Sequence, residues 1–134
     1  MAVRRENKFL QERVLLPYDH AQATADVTTK LWAVPSGRSF RLDRVWYNNP
    51  TGLAADAANY FNVIVQKGSI TMANWSTETG QEGALSADTP VELAKSATDA
   101  DLVADGGDVI SLKLDETGTQ TLPAGRLVIE GRLL

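Results

Sequence analysis

The sequence contains no cysteine among its 134 residues. Disulfide bonds, thiolate metal sites and thiol nucleophiles are therefore excluded, and the fold must depend on packing or on assembly. Hydrophobic runs of the roughly 18 residues that a membrane helix needs are absent as well. The N-terminal residues carry charges on both sides of their few apolar residues, so the apolar centre of a signal peptide is missing. We expect a soluble protein that is synthesised in a cytoplasm and is not exported through a signal peptide.

Catalytic signatures are also scarce. The sequence has neither a phosphate-binding GxxxxGK[ST] motif nor a dinucleotide-binding GxGxxG motif. His20 is the only histidine, and no serine has the surroundings of a nucleophile elbow, so we expect His20 at the surface of a loop. We therefore predict that the protein is not an enzyme and that it has no catalytic residue and no cofactor. A small β-barrel enzyme that uses His20 is the last-ranked alternative.

Metal-binding patterns are weak. The chain has a run of spaced carboxylates at Asp99, Asp101, Asp105 and Asp108. This run does not match an EF-hand loop, because Val103 occupies a position that needs an oxygen ligand and the turn glycine is misplaced. We predict a solvated acidic loop and no metal site. An open-ended calcium site between loops stays as an alternative.

Basic residues are too few for a general nucleic-acid-binding surface, since the net charge is −4 and phosphate contacts need a basic patch. The charge is uneven, however. Residues 1–13 sum to +2, which leaves −6 for the rest of the chain. Two interpretations stay open, a solvated tail and a basic arm that docks on an acidic neighbour.

The pattern that is present is that of β-strands, and it is clearest from Asp105 to Leu134. Two alternating runs flank a polar loop there, with apolar positions at Ile110, Leu112 and Leu114 and then at Leu127, Ile129 and Leu133. Strict alternation is typical of half-buried antiparallel strands. We predict that the two runs form the closing hairpin of one sheet, which needs a second layer to cover its apolar face.

Further short runs bring the total to about eight strands. The others lie at residues 14–16, 28–34, 39–48, 60–67, 70–75 and near 91–93. We predict an all-β protein with an N-terminal arm over residues 1–13 and a single jelly-roll-like β-sandwich over residues 14–134, with an immunoglobulin-like sandwich as the alternative. Within the third run, Arg44 shares the alternation of Phe40, Leu42 and Trp46, which predicts a bulge or a strand end there.

Two turn motifs have the same form, VPSGR at residues 34–38 and LPAGR at residues 122–126. Proline and glycine at this spacing predict two equivalent turns. The alternative is functional, with Arg38 and Arg126 together at one end of the sandwich.

Three long segments resemble a known family. They are VPSGRSFRLDRVWYNNPTGLAADAANYFNVIV, NWSTETGQEGALSADTPVEL and GDVISLKLDETGTQTLPAGRLVIEGRL. They are similar to the small β-sandwich decoration proteins of tailed bacteriophages, also called cement or head-stabilising proteins, over about residues 28–134. The resemblance implies a jelly-roll-like domain on the outer capsid surface, often a homotrimer, whose terminal arm reaches onto the major capsid protein. It carries no catalytic residues.

The resulting hypothesis is a structural virion protein that binds the outer surface of a capsid and stabilises the shell, with no nucleic-acid or membrane partner. The residues expected to contact the capsid are Arg4, Arg5, Lys8, Phe9 and Arg13.

The alternative function is a carbohydrate-binding or receptor-binding module. It requires surface aromatics in line with amide or carboxylate side chains, and Asn59, Tyr60 and Trp75 are the candidates. The tryptophans Trp32, Trp46 and Trp75 all fall on predicted strands, where core or interface packing is the simpler expectation.

Overall fold

The computed structural model describes residues 12–134, and these residues form ten β-strands and one short 3-10 turn. The turn spans Asp99–Leu102. The strands are β1 (Glu12–His20), β2 (Val27–Ala33), β3 (Ser39–Asn48), β4 (Tyr60–Lys67), β5 (Ile70–Ser76), β6 (Val91–Glu92), β7 (Ala94–Lys95), β8 (Val103–Asp105), β9 (Val109–Thr117) and β10 (Gly125–Leu133). No helix in this part of the chain is long and apolar enough to cross a membrane.

The strands form two antiparallel sheets. The first sheet has the order β1-β10-β3, with the short strands β6 and β8 both paired to β3, and the second has the order β2-β9-β4-β5-β7. The first strand therefore pairs with the last, the second with the next to last, and β4 with β5. This is a long hairpin rolled into two layers, which is the jelly-roll topology. The predicted jelly-roll-like sandwich is confirmed, and the immunoglobulin-like alternative does not fit because β1 and β2 lie in different sheets.

The core lies between the two sheets and is built by alternation along the strands. Phe61, Val63 and Val65 of β4 point inward, as do the apolar positions predicted in the two last strands. Fully buried Phe40, Leu42, Leu127 and Ile129 face them from the first sheet. The predicted inner faces are thus correct.

The predicted closing hairpin is wrong. β9 pairs with β2 and β4 in the second sheet, whereas β10 pairs with β1 and β3 in the first. The loop between them crosses from one layer to the other. It is anchored by paired backbone hydrogen bonds between Leu122 and Ala23, and Leu122 is buried. Alternation fixes the face that a strand buries, but it does not fix the partner strand.

A bulge in β3 decides which of its residues face the core. The register with β10 shifts between Glu130 and Gly131, so that Glu130 pairs with Arg44 and Gly131 with Leu42. Asp43 is the extra residue. After the bulge Val45 and Tyr47 point inward, and Trp46 points outward. The bulge predicted near Arg44 is confirmed, whereas the placement of Trp46 on the face of Phe40 and Leu42 is wrong.

The two turn motifs are not equivalent. In the first, the Arg38 amide donates to the Pro35 carbonyl, and Gly37 has a φ of 77°, which suits glycine in a tight turn. Gly125 in the second motif instead begins β10, and an added Cβ would lie 2.5 Å from the Tyr47 hydroxyl. The two arginines lie at opposite ends of β1, with Arg38 near Glu12 and Arg126 near Asp19. The expectation that they meet is therefore wrong.

Candidate functional site

Of the residues expected to bind a capsid, only one belongs to the described part of the chain. Arg4, Arg5, Lys8 and Phe9 lie outside residues 12–134. Arg13 lies in β1, is exposed, and is 3.4 Å from the Glu130 carboxylate on β10. It therefore belongs to the outer face of the first sheet, which we take as the candidate site.

Register and alternation define this outer face. Residues that pair directly across antiparallel strands project to the same side, and those two apart along a strand share it. The outer face comprises Arg13, Leu15, Pro17 and Asp19 of β1, Arg126, Val128, Glu130 and Arg132 of β10, Arg41, Asp43, Arg44, Trp46 and Asn48 of β3, and Glu92 of β6. No other layer of the described chain covers it.

An apolar stripe crosses this face. Pro17 of β1, Val128 of β10 and Trp46 of β3 stand in register, and we call these three residues the Trp46 stripe. Trp46 is 37% exposed, and Leu15 beside the stripe is 58% exposed. Solvent-exposed apolar side chains that lie together and are rimmed by charge are typical of protein-binding surfaces.

A shallow groove of about 490 Å³ borders the stripe. Trp46, Val128 and Pro90 form its walls, together with Tyr47, Asn48 and Arg126. At the polar end of the groove, Asn48 Nδ2 donates a hydrogen bond of 3.0 Å to the Asp88 carboxylate. Asp88 has a φ of 51°, a strained conformation for a residue other than glycine. Asn48 Oδ1 is buried and has no hydrogen-bond donor among the described residues.

Arginines surround the stripe, and their ion pairs differ in quality. Arg132 makes a close, two-pronged contact with Asp43, at 3.0 to 3.2 Å. Arg41 binds Asp99 at 2.7 Å, and this hydrogen bond holds the pKa of Asp99 below its usual value. The pairs Arg13–Glu130 and Arg126–Asp19 are longer, at 3.4 and 3.3 Å. Both arginines and Asp19 are largely exposed, whereas the Glu130 side chain is 19% exposed. Such pairs contribute little and can exchange partners.

Arg44 differs from these residues. It is exposed in the middle of the face, beside Trp46, and its side chain makes no hydrogen bond or ion pair within residues 12–134.

A buried polar network lies beneath one end of the groove. His20 is 5% exposed at the end of β1, so the expectation of a surface loop histidine is wrong. Its Nδ1 is 2.8 Å from the Ala21 carbonyl oxygen, which can only accept, so Nδ1 carries the proton. Nε2 then accepts from the Tyr47 hydroxyl at 2.6 Å. The Tyr47 oxygen in turn accepts from Asn49 Nδ2 at 3.2 Å.

Burial governs the titration of this network. It lowers the pKa of His20, outweighing the opposing effects of the Ala21 hydrogen bond and of the Asp19 charge. It also raises the pKa of Tyr47 to about 12. Burial therefore favours the neutral form of His20, and the network links the end of β1 to β3.

The predicted sugar-binding candidates do not form a platform. Trp75 pairs with the inward-facing Val63 and donates from Nε1 to the Gly83 carbonyl, whereas Tyr60 points to the opposite side of β4. Asn59 Oδ1 accepts from the Thr119 amide at 2.8 Å and so holds a loop.

The aspartates considered for calcium are likewise used in local structure. Asp101 accepts from the Ser96 hydroxyl, and Asp108 accepts from the Asp105 amide. Within residues 12–134, no group of three or more His, Cys, Asp or Glu side chains is arranged to hold a metal ion.

Sequence reasoning missed the Trp46 stripe, because it predicts a bulge at Arg44 but does not carry that bulge on to Trp46, which it keeps in the alternation of Phe40 and Leu42. The signal that could have found it is Arg44, whose charge is incompatible with the inner face.

No protein-family model matches the chain, and no curated protein matches it significantly. Among solved structures, the chain is similar to one titled as the structure of infectious bursal disease virus, Gx strain, at 9% identity and a TM-score of 0.43. The match covers 88% of this chain and 32% of the viral chain, so this chain spans about a third of its length. Similarity of this degree carries no functional conclusion, and the jelly-roll assignment rests on the strand order itself.

Proposed function

We propose that this protein is a structural virion protein that binds the outer surface of a bacteriophage capsid and stabilises the shell. The observation that carries the proposal is the uncovered outer face of the first sheet, where the exposed Trp46 stripe is ringed by arginines. Aromatic residues and arginine are the groups that dominate protein–protein contacts. The resemblance of residues 28–134 to decoration proteins supplies the partner, which is the major capsid protein.

Shell stabilisation follows from mass action. A protein that binds only the assembled shell stabilises it by its binding free energy, and many copies on a lattice add their contributions. A homotrimer at a three-fold position would contact several capsid subunits at once. The proposed role uses no catalytic chemistry.

The N-terminal segment is proposed to add a second contact. Arg4, Arg5, Lys8 and Phe9 combine positive charge with an aromatic group, and they precede β1, whose Arg13 already lies on the outer face. A second contact that is linked to the first through the same chain raises the overall affinity.

The test is decoration of shells assembled from the major capsid protein encoded with this chain. The full chain should cosediment with shells and raise the temperature at which they disrupt. Deletion of residues 1–11, which leaves β1 intact, should lower the occupancy at equal protein concentration. Its control is the Lys8→Gln variant of the full chain, which removes one charge and should lose less of the occupancy than the deletion does.

Absence of binding by the full chain would reject the proposed function. Full occupancy by the deletion variant would reject the arm contact alone.

A second candidate is carbohydrate or receptor binding at the groove. The observation in its favour is the exposed Trp46 ring next to Asn48 and the Asp88 carboxylate, since sugars stack on tryptophan and bond to such groups. The mostly apolar walls of the groove suit a protein side chain better. Glycan-array binding that is lost in Trp46→Ala would favour this candidate over shell binding.

A further inference from the structure

We infer that the protein docks through the outer face of its first sheet, with the outer face of its second sheet toward solvent. This inference rests on the proposed function, to which it adds the orientation on the shell. The occupant is a surface of the major capsid protein that presents an apolar side chain flanked by carboxylates.

The first argument is a segregation of the two basic residue types. Among residues 12–134, every arginine lies on a strand of the first sheet or, for Arg38, in the turn just before β3. Every lysine in this range lies on a strand of the second sheet, at Lys30 of β2, Lys67 of β4, Lys95 of β7 and Lys113 of β9. Lys30 and Lys113 project from its outer face, whereas Lys67 and Lys95 pair with the inward-facing Ile110 and Ala73. Both residue types have the same charge, so a demand for charge alone does not explain the division.

The division has a physical reason if only one sheet is covered by a partner. The arginine guanidinium is weakly hydrated, planar and able to bond a carboxylate with two donors, so it tolerates burial in an interface. The lysine ammonium is strongly hydrated, and lysine is depleted from interfaces. A face that is desolvated on docking therefore favours arginine, and a face that stays in water accepts lysine.

The second argument is the distribution of exposed apolar side chains. Among the described residues, the large exposed hydrophobic side chains are Leu15, Val27, Trp46, Ile70 and Leu134. Leu15 and Trp46 lie within strands on the outer face of the first sheet. The others lie at the start of β2, at the start of β5 and at the chain's last residue. Val27 pairs with the inward-facing Leu114, and Ile70 pairs with Lys67, which itself pairs with the inward-facing Ile110, so neither lies on the outer face of the second sheet.

The third argument is the state of the charges around Trp46. Arg44 has no acidic partner within residues 12–134, although it is exposed at the centre of the face. The long pairs Arg13–Glu130 and Arg126–Asp19 leave donors free for a partner. A carboxylate of the partner would form ion pairs with these arginines, while an apolar side chain of the partner would enter the groove beside Trp46.

The experiment compares matched charge substitutions on the two sheets in the full chain. Arg44→Glu on the first sheet and Lys113→Glu on the second change the charge equally at outward-facing positions. Binding to shells of the major capsid protein is titrated for each variant, and the melting temperature verifies folding. Trp46→Ala is added, because it removes the central apolar contact without a charge. We expect Arg44→Glu and Trp46→Ala each to weaken binding by about tenfold or more, and Lys113→Glu by less than about twofold.

The outcomes separate the two proposals. Should the unmodified chain fail to bind shells, the proposed function itself is rejected. Should it bind and lose affinity through Lys113→Glu but not through Arg44→Glu or Trp46→Ala, the function stands and the orientation is reversed. Equal, small effects of all three variants would also overturn the orientation. If Trp46→Ala changes the mass of the oligomer in solution but leaves the affinity for shells unchanged, the face binds a second copy of this chain instead.

Discussion

At the scale of single residues, the network of His20, Tyr47 and Asn49 is the most specific arrangement in the molecule. Every side-chain polar atom in it has a hydrogen-bond partner, from the imidazole through the phenol to the Asn49 amide. The Asn49 amide also donates to the Pro123 carbonyl at 2.7 Å, and its oxygen accepts from the Thr51 and Gly52 amides. Gly125 is required where this network approaches β10, because a side chain there would strike the Tyr47 hydroxyl.

This network predicts a dependence of stability on pH. The folded pKa of His20 is lowered by burial, so below about pH 6.5 the unfolded chain binds a proton that the folded chain resists. The free energy of unfolding should therefore keep its full value above about pH 6.5. As the pH is lowered from 6.5 toward the folded pKa, it should fall with a limiting slope of about 1.4 kcal/mol per pH unit. Urea unfolding at intervals between pH 7 and pH 5 measures this slope.

The matched control is His20→Gln, which cannot titrate. The lowered pKa values of Asp56 and Asp99 affect stability only as the pH falls below the ordinary aspartate range, so they do not interfere. A slope that persists unchanged in His20→Gln would show that another group is responsible.

At the scale of elements, the bulge in β3 connects the core to the docking face. It places Asp43 and Arg44 on the outside together, and it turns Val45 and Tyr47 inward. Opposite the bulge stands Gly131, where an added Cβ would overlap the Phe40 ring and the Arg41 carbonyl oxygen. The close approach of the two strands there requires a residue without a side chain.

Gly131→Ala should therefore lower the free energy of unfolding by about 1–3 kcal/mol, the usual cost of overpacking a core. Because the bulge shifts as well, the tryptophan fluorescence maximum, to which Trp32, Trp46 and Trp75 all contribute, should move. Glu130→Ala serves as the control, since it removes the 3.4 Å pair with Arg13 and adds no atom at the bulge; it should change stability by less than about 1 kcal/mol. Equal stability of Gly131→Ala and the parent chain, measured by urea unfolding, would contradict the account of the bulge.

At the scale of the whole molecule, the Lys67 side chain links the second sheet to the segment between β7 and β8, which leads the chain back to the first sheet. Lys67 at the end of β4 donates from Nζ to the carbonyl oxygens of Ala100, at 2.8 Å, and of Val103. Ala100 lies in the 3-10 turn and Val103 begins β8. This contact holds the crossing of the chain from β7 back to the edge of β3.

Lys67→Met, which keeps the length of the side chain, should lower the free energy of unfolding by about 1–2 kcal/mol, because it removes charged hydrogen bonds from two carbonyl groups. Hydrogen exchange of the β8 amides should also accelerate. Lys113→Met is the matched control, since the Lys113 side chain makes no hydrogen bond or ion pair within residues 12–134. Identical stabilities of the two variants in thermal unfolding would argue against this tie.

A two-residue alternation is a local property of an extended chain, so it was sufficient to predict the all-β class, the approximate strands and the inner faces of β4, β9 and β10. The sequence also indicated the bulge, since Arg44 could not share a buried face with Phe40 and Leu42. The proposed capsid contacts at Arg4, Arg5, Lys8 and Phe9 stay predictions, since they lie outside the described residues.

Only the tertiary structure decided which strands pair, that β9 and β10 belong to different sheets, and that His20 is buried against Tyr47. These features depend on contacts between residues far apart in the chain, for which alternation carries no information. The Trp46 stripe and the division of arginine and lysine between the two sheets became visible for the same reason. Each residue was known from the sequence, but the side of the sandwich on which it lies was set by the rolled topology and by one extra residue in β3.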